Sequence, residues 1–122
     1  MCGIAGFFKK NYEWEKNIKI MLQTMYRRGP DGDGIWTTPN DDVVLGHRRL
    51  SIIDLSDNGS QPMVSMNERY VISFNGEIYN YISLKEKINN KVIKPFKSTS
   101  DTEVLLESFE ILGIDETLNT VK

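Results

Sequence analysis

Apolar residues in this chain come in short groups, and their spacing changes character several times between the two ends. The opening CGIAGFF is a compact apolar run interrupted by glycine, which predicts a buried strand. Trp14, Ile18, Met21, Leu22 and Met25 then recur at i, i+4, i+7, i+8 and i+11, so WEKNIKIMLQTMY is expected to be an amphipathic helix. RRGPDGDG carries the glycines, proline and aspartates of a loop. GIW and VVLGHRRL read as strands joined by a turn at TPNDD, and LSIID is a further strand candidate.

In the second half, SDNGSQP is another loop, whose Pro62 does not suit a central strand. ERYVISF is rich in β-branched and aromatic residues and predicts a strong strand. From Tyr81 the period lengthens to Tyr81, Leu84, Ile88, a helix, and NNKVIKPFKS is a connector. STSDTEVLLESFEILG starts with a capping box, Ser100 and Glu103, presents Leu105, Phe109 and Leu112 on one face and ends at Gly113. IDETLNTVK begins another short helix. Strands and helices mix without a βαβ rhythm, so the expected class is α+β, with helices on a mostly antiparallel sheet.

Length and composition narrow the partners without naming a reaction. At 122 residues the chain fits one domain. A net charge of −2 argues against nucleic acid or an anionic membrane surface as the main partner. No apolar run is long enough to span a bilayer, and the N-terminus lacks the basic leader of a signal peptide. A single cysteine excludes an intrachain disulfide and a CxxC pair, and a single histidine, His47, leaves no His/Cys cluster for zinc. A free thiol fits a reducing cytoplasm, the expected compartment.

Four stretches are candidates for chemistry, and each has an ordinary structural reading beside it. Cys2 is either a small buried hydrophobe or a nucleophile that becomes the first residue once Met1 is removed. In the second case its own α-amine is the base: the amine has a reference pKa of about 7.7–8.0 and the thiol about 8.5, so proton transfer is nearly balanced at neutrality. Asn75-Gly76 is a hairpin signal, but the residues after Gly76 turn helical. The pair then suits the end of a strand, where the Asn75 amide and the Gly76 N–H can both face one oxygen, as in an oxyanion hole. Arg48 and Arg49 sit in an apolar strand: one is expected on a solvated face, the other is a candidate clamp for a carboxylate. His47 packs or hydrogen-bonds structurally, since it has no triad partner. Asp101, in the first turn of a capped helix, serves the helix dipole or faces a ligand ammonium group. RGPDGDG matches neither a calcium loop nor a P-loop and is read as a shaped loop.

MCGIAGFF, RRGPDGDG, LGHRRLSIIDLS, SQPM, FNGEIYN and SDTEVLLESFE, in this order and spacing, resemble the glutaminase domain of glutamine-hydrolysing asparagine synthetases. These are class II glutamine amidotransferases, within the N-terminal-nucleophile hydrolases. The resemblance covers residues 1–122, and RGPD followed by LSIIDLS looks like the asparagine synthetase branch rather than the glucosamine-phosphate or phosphoribosylamine branches.

The resemblance implies an αββα sandwich, with the C-terminal part of the domain missing. It implies that Cys2 attacks the side-chain carboxamide of L-glutamine, forming a thioester that water releases as glutamate, while Asn75 and Gly76 hold the oxyanion. Arg49 is implied to pair with the substrate α-carboxylate, and Asp101 and Glu77 to hold its α-amine. Leu50, Ser51, Ile52 and Ile53 are implied to line the pocket. The resemblance implies a glutaminase step without cofactor or metal. ATP and magnesium belong to a synthetase domain, in cis or in trans, that accepts the ammonia and makes asparagine from aspartate; its S-G-G-x-D-S signature does not occur in this sequence. Arg27 stands where the family has His before Arg-Gly-Pro-Asp, and Ser60 where it often has His before Gln-Pro. The alternative expectation is an inactive remnant or binding module of the same family.

Overall fold

The computed structural model describes residues 1–8, 13–51 and 54–122. It contains β1 (Gly3–Phe8), α1 (Trp14–Thr24), β2 (Gly32–Thr37), β3 (Val43–Arg49), β4 (Met63–Val64), β5 (Val71–Ile72), α2 (Tyr81–Ile88), α3 (Asp101–Leu112) and α4 (Ile114–Thr120). All strand pairing is antiparallel, so the class is α+β as the sequence implies. The chain divides into two compact units.

The first unit comprises Met1–Ile52, Ser60–Pro62 and Ser73–Asn75. Its sheet has the order β1-β3-β2, with β3 in the middle. Ala5 and Ile35 face each other across Gly46, and Phe7 and Thr37 across Val44, which puts these residues on one side of the sheet. α1 covers that side: Ile18, Leu22 and Val44 form its core, with Ala5, Phe7, Trp14, Met25 and Ile35 packed around them. The helical spacing of Ile18 and Leu22 is thereby used in full. Gly46 allows the close approach, since a Cβ there would lie 2.9 Å from the Ile18 Cδ1. The hairpin turn between β2 and β3 is closed by Thr38, whose Oγ1 accepts from the backbone N–H groups of Asp42 and Val43.

The second unit comprises Ile53–Gly59, Met63–Ile72 and Gly76–Lys122. α2 and α3 share a core of Leu84, Ile88 and Val104, flanked by Tyr81, Val92, Phe96, Ile111, Leu112 and Val121. β4 and β5 form a two-stranded sheet. α3 departs from the expected one-sided burial. Every residue from Asp101 to Ser108 is buried, polar ones included. The polar ones are each satisfied: Glu107 accepts the Met66 N–H at 2.8 Å, and the Ser108 hydroxyl donates to the Val104 carbonyl at 2.7 Å. Burial nevertheless raises the pKa of Glu107.

The start of α3 corrects the capping box. Ser100 caps as expected, its hydroxyl accepting from the Thr102 N–H. Glu103 reaches past the cap instead of back to it. It accepts from the backbone N–H of Lys97 at 2.9 Å and of Ser98 at 2.8 Å, and from the Ser98 hydroxyl at 2.6 Å. The Ser98 hydroxyl in turn accepts from the Ser100 N–H. At the other end Gly113 has φ +84°, the left-handed backbone that suits glycine.

Three boundaries also differ from expectation. The end of the GPDGDG loop, Gly32–Gly34, is already strand, because it pairs with His47–Arg49. ERYVISF contributes only Val71–Ile72 to a ladder, with β4 as its unforeseen partner. Of the LSIID candidate, Leu50, Ser51 and Asp54 are not in a strand, and Ile52 and Ile53 lie outside the described residues.

Candidate active site at the end of the first sheet

Cys2 immediately precedes β1, and the pairing of Gly3 with Arg48 brings it to the end of β3. The Leu50 backbone N–H donates to the Cys2 Sγ at 3.3 Å, and the thiol faces the Leu50 carbonyl at 3.6 Å. Cys2 is half-buried, and its carbonyl accepts from the Arg28 Nε at 3.2 Å. The cysteine is therefore neither a core residue nor a free tail: its sulfur is aimed at the backbone N–H and carbonyl of Leu50.

The two peptides that flank Leu50 are themselves fixed by the shaped loop. Asp31 Oδ2 accepts the Ser51 N–H at 2.8 Å, and the Asp31 N–H donates to the Arg49 carbonyl at 3.0 Å. Gly29 is pressed against the chain at Arg48, where a Cβ would lie 2.4 Å from the Arg48 carbonyl carbon. The two strand arginines now separate. Arg48 is buried, donates from Nε to the Gly29 carbonyl at 2.9 Å, pairs with Asp33 at 3.0 Å and lies over the Tyr26 ring. It binds loop to strand, and this overturns a solvated-face reading for it. Arg49 points the other way and donates from Nη1 to the Ser60 hydroxyl at 3.5 Å.

Asn75 ends the first unit and is exposed. The two residues before it are tied to the sheet. The Ser73 hydroxyl donates to the Gly46 carbonyl at 3.3 Å, the Phe74 N–H donates to Gln61 Oε1 at 2.6 Å, and the Phe74 carbonyl is 3.2 Å from His47 Nε2. Since a carbonyl only accepts, Nε2 carries the hydrogen. His47 is therefore structural, as expected for a histidine without a triad partner. Its pKa is lowered, first by burial, against the raising effect of the Phe74 bond and with a smaller lowering by Arg49.

The remaining expected site residues belong to the second unit. Gly76 and Glu77 are exposed. Asp101 is buried, with Oδ2 accepting the Ile78 N–H at 2.7 Å and the Thr102 hydroxyl 3.4 Å from Oδ1. Cys2, Arg49, Leu50, Ser51 and Asn75 thus fall in the first unit and Gly76, Glu77 and Asp101 in the second. Ile52 and Ile53, also expected in the site, lie outside the described residues.

The sequence reading did not single out Asp54. Its Oδ1 accepts from the Ser56 N–H and hydroxyl and its Oδ2 from the Thr99 N–H and hydroxyl. The Ser56 hydroxyl leads the groups that lower its pKa to about 2. The Asp-x-Ser spacing, a local Asx turn, is the signal that would have found half of this. The contact with Thr99 spans too many residues for any local pattern. Among the described residues no cluster of three or more His, Cys, Asp or Glu side chains could hold a metal ion, and no helix is long and apolar enough to cross a membrane.

Residues 1–122 match the family model described as a glutamine amidotransferase domain. The chain is 46% identical over 114 residues to asparagine synthetase (glutamine-hydrolyzing) 1 of Bacillus subtilis (strain 168), covering 89% of this chain and 17% of that protein. It is 34% identical over 116 residues to asparagine synthetase B (glutamine-hydrolyzing) of Escherichia coli (strain K12), covering 93% of this chain and 20% of that protein. A third relative, amidase chry2 of Gibberella zeae, is 34% identical over 126 residues, with 93% of this chain and 18% of the relative covered. The chain therefore spans a fifth or less of the length of these relatives.

Proposed function

This chain belongs to the glutamine amidotransferase domain family, and on that premise we propose that it hydrolyses L-glutamine to glutamate and ammonia. The observation that carries the reading is the Cys2 sulfur held 3.3 Å from the Leu50 N–H, at the end of the strand that also bears Arg49. In the proposed mechanism Met1 is removed and the freed α-amine of Cys2 takes the thiol proton. The sulfur adds to the carboxamide carbon of glutamine. The oxyanion so formed accepts hydrogen bonds from the Asn75 side-chain amide and the Gly76 N–H. The protonated amine gives its proton to the leaving nitrogen, ammonia departs, and a γ-glutamyl thioester remains on Cys2. Water, deprotonated by the same amine, cleaves the thioester to glutamate and restores the thiol.

Arg49 is assigned the substrate α-carboxylate. Its guanidinium is planar and forked, the shape that matches a carboxylate, and it lies on the strand that ends beside Cys2. Asp101 and Glu77 are assigned the α-amine, and Leu50, Ser51, Ile52 and Ile53 the pocket wall. The fold that goes with this reading is the αββα sandwich of N-terminal-nucleophile hydrolases, supported by the antiparallel pairing of each sheet. The ammonia is assigned to a synthetase domain, in cis or in trans, that uses ATP and magnesium to make asparagine from aspartate. The names of the Bacillus and Escherichia relatives support that acceptor. The glutaminase step itself calls for no cofactor, and a reducing cytoplasm is its setting.

The test is ammonia release from L-glutamine by Met1-free protein, its N-terminus checked by intact mass. The Cys2→Ala variant is expected to release none and to resist labelling by a glutamine-like diazoketone. A labelled Cys2→Ala chain would remove Cys2 from the mechanism. Glutamine binding without any ammonia from the wild-type chain would leave a binding module in place of an enzyme.

A further inference from the structure

His47 lies in the middle strand of the first sheet, between Ile4 of β1 and Gly34 of β2, and is 1% exposed. Its Nε2–H goes to the Phe74 carbonyl, while its Nδ1 is buried with no hydrogen-bond partner among the described residues. Filling this place with an aliphatic side chain would avoid burying a bare ring nitrogen, a cost the fold bears. What the imidazole supplies in return is one hydrogen bond, to the carbonyl of the peptide that leads into Asn75.

The other groups along this segment point to the same task. Phe74 is gripped from its opposite end by Gln61, itself buried and accepting the Phe74 N–H at 2.6 Å. The Gln61 carbonyl is seated against Gly34, where a Cβ would come within 2.1 Å of the oxygen. The Ser73 hydroxyl adds its bond to the Gly46 carbonyl. An exposed amide such as Asn75 gets its position from the backbone that carries it, and here that backbone is clamped on both polar groups of the preceding residue.

We propose that His47 is a positioning residue for Asn75, acting through the Phe74 carbonyl. The proposal rests on the reading of Asn75 as an oxyanion donor. Such a donor must lie about 2.7–3.1 Å from the developing oxyanion, and deleting one typically costs about 10²–10³-fold in kcat. Loosening it without removing it is expected to cost less, on the order of tenfold. The loss should fall on kcat and spare KM, because the oxyanion exists only after the sulfur has attacked.

The experiment compares His47→Leu, His47→Gln and His47→Asn in the full chain. Steady-state ammonia release from L-glutamine is measured alongside the thermal midpoint and the side-chain amide NMR signals of Asn75. A Gln side chain places its NH2 group near the position of Nε2, whereas Asn is too short to reach Phe74. The Gln variant is therefore expected to keep most of the wild-type kcat. The Leu and Asn variants are expected to lose about tenfold in kcat with KM within about twofold. Their Asn75 amide signals should broaden or shift, and those of the Gln variant should not. A folded Leu variant with wild-type kcat overturns the proposal, and so does a Gln variant as slow as the Asn variant. If Leu prevents folding, the Gln–Asn comparison decides alone. If the wild-type chain releases no ammonia, the glutaminase reading fails separately. The Asn75 signals then judge His47: unchanged signals in His47→Asn overturn its positioning role, and changed ones uphold it.

Discussion

The Leu50 N–H is directed at the Cys2 sulfur from 3.3 Å, so the thiol is held against the end of β3 instead of swinging into solvent. Leu50 is in turn held by its neighbours, since Asp31 accepts from Ser51 and donates to the Arg49 carbonyl. Cys2 is thus held by one loop in two ways, directly by Arg28 at its carbonyl and indirectly by Asp31 through the neighbours of Leu50.

Asp31→Ala is expected to loosen that end of the strand. Losing a charge-assisted bond at an exposed site should lower stability by about 1 kcal/mol in urea unfolding. Alkylation of Cys2 by iodoacetamide should become faster, because its peptide partner is no longer fixed. A destabilised variant with an unchanged alkylation rate would separate Asp31 from the thiol.

The adjacent arginines should respond differently to the same substitution. Arg48→Lys removes the Nε bond to Gly29 and the planar contact with Tyr26, and should cost roughly 1.5–3 kcal/mol of stability. Arg49→Lys, at a half-buried position, should lower the thermal midpoint less than Arg48→Lys does and weaken glutamine binding by roughly 1.5–3 kcal/mol. Calorimetric binding and thermal melts on both variants check this, and equal melting losses would contradict the division of roles.

Gly46→Ala should be destabilising even though alanine favours regular structure. The added methyl meets Ile18 and Leu22 at about van der Waals overlap, and overpacking of this kind costs roughly 1–3 kcal/mol. Combining it with Ile18→Val, which withdraws a methyl from the crowded side, should recover part of the loss. Additive losses would place the strain elsewhere.

Acid should weaken the fold in two steps. His47 has a folded pKa below its ordinary 6.5, so the unfolded chain binds the proton more readily. Its contribution is complete above pH 6.5 and is lost as the pH falls from there towards the folded value. Arg49 on the same strand adds to the cost of charging it. Asp54 acts lower down: its contribution is complete above its ordinary 3.8 and is lost as the pH falls towards about 2. Glu107 works in the opposite sense, since its raised pKa means that protonation favours the fold. Urea midpoints measured from pH 8 to pH 2 should lose the upper step in His47→Gln and the lower step in Asp54→Asn.

Much of this arrangement is legible in the chain, for a physical reason. Ile18 and Leu22 announce α1, and Ser100 and Gly113 bound α3, because periodicity and caps are local properties. That Cys2, Arg49 and Asn75 fall in one compact unit is not visible in any local pattern. What escapes is non-local. Nothing near Glu103 shows that its carboxylate serves Lys97 and Ser98 instead of the cap. Arg48 and Arg49 are identical letters, and only strand alternation separates one pinned beneath a loop from one turned the other way. ERYVISF overstates its strand because β-propensity measures fit to a neighbour, and its neighbour offers only Met63 and Val64.

The reach of Glu103 beyond its helix has a consequence in time. The amide hydrogens of Lys97 and Ser98 lie in a loop, yet both are bonded to a carboxylate that moves only with α3. They cannot exchange with solvent deuterium until the helix start opens. The segment from Lys97 to the end of the first helical turn is thus expected to exchange as one cooperative block, with slow amides three and four residues ahead of Asp101, where the helix begins.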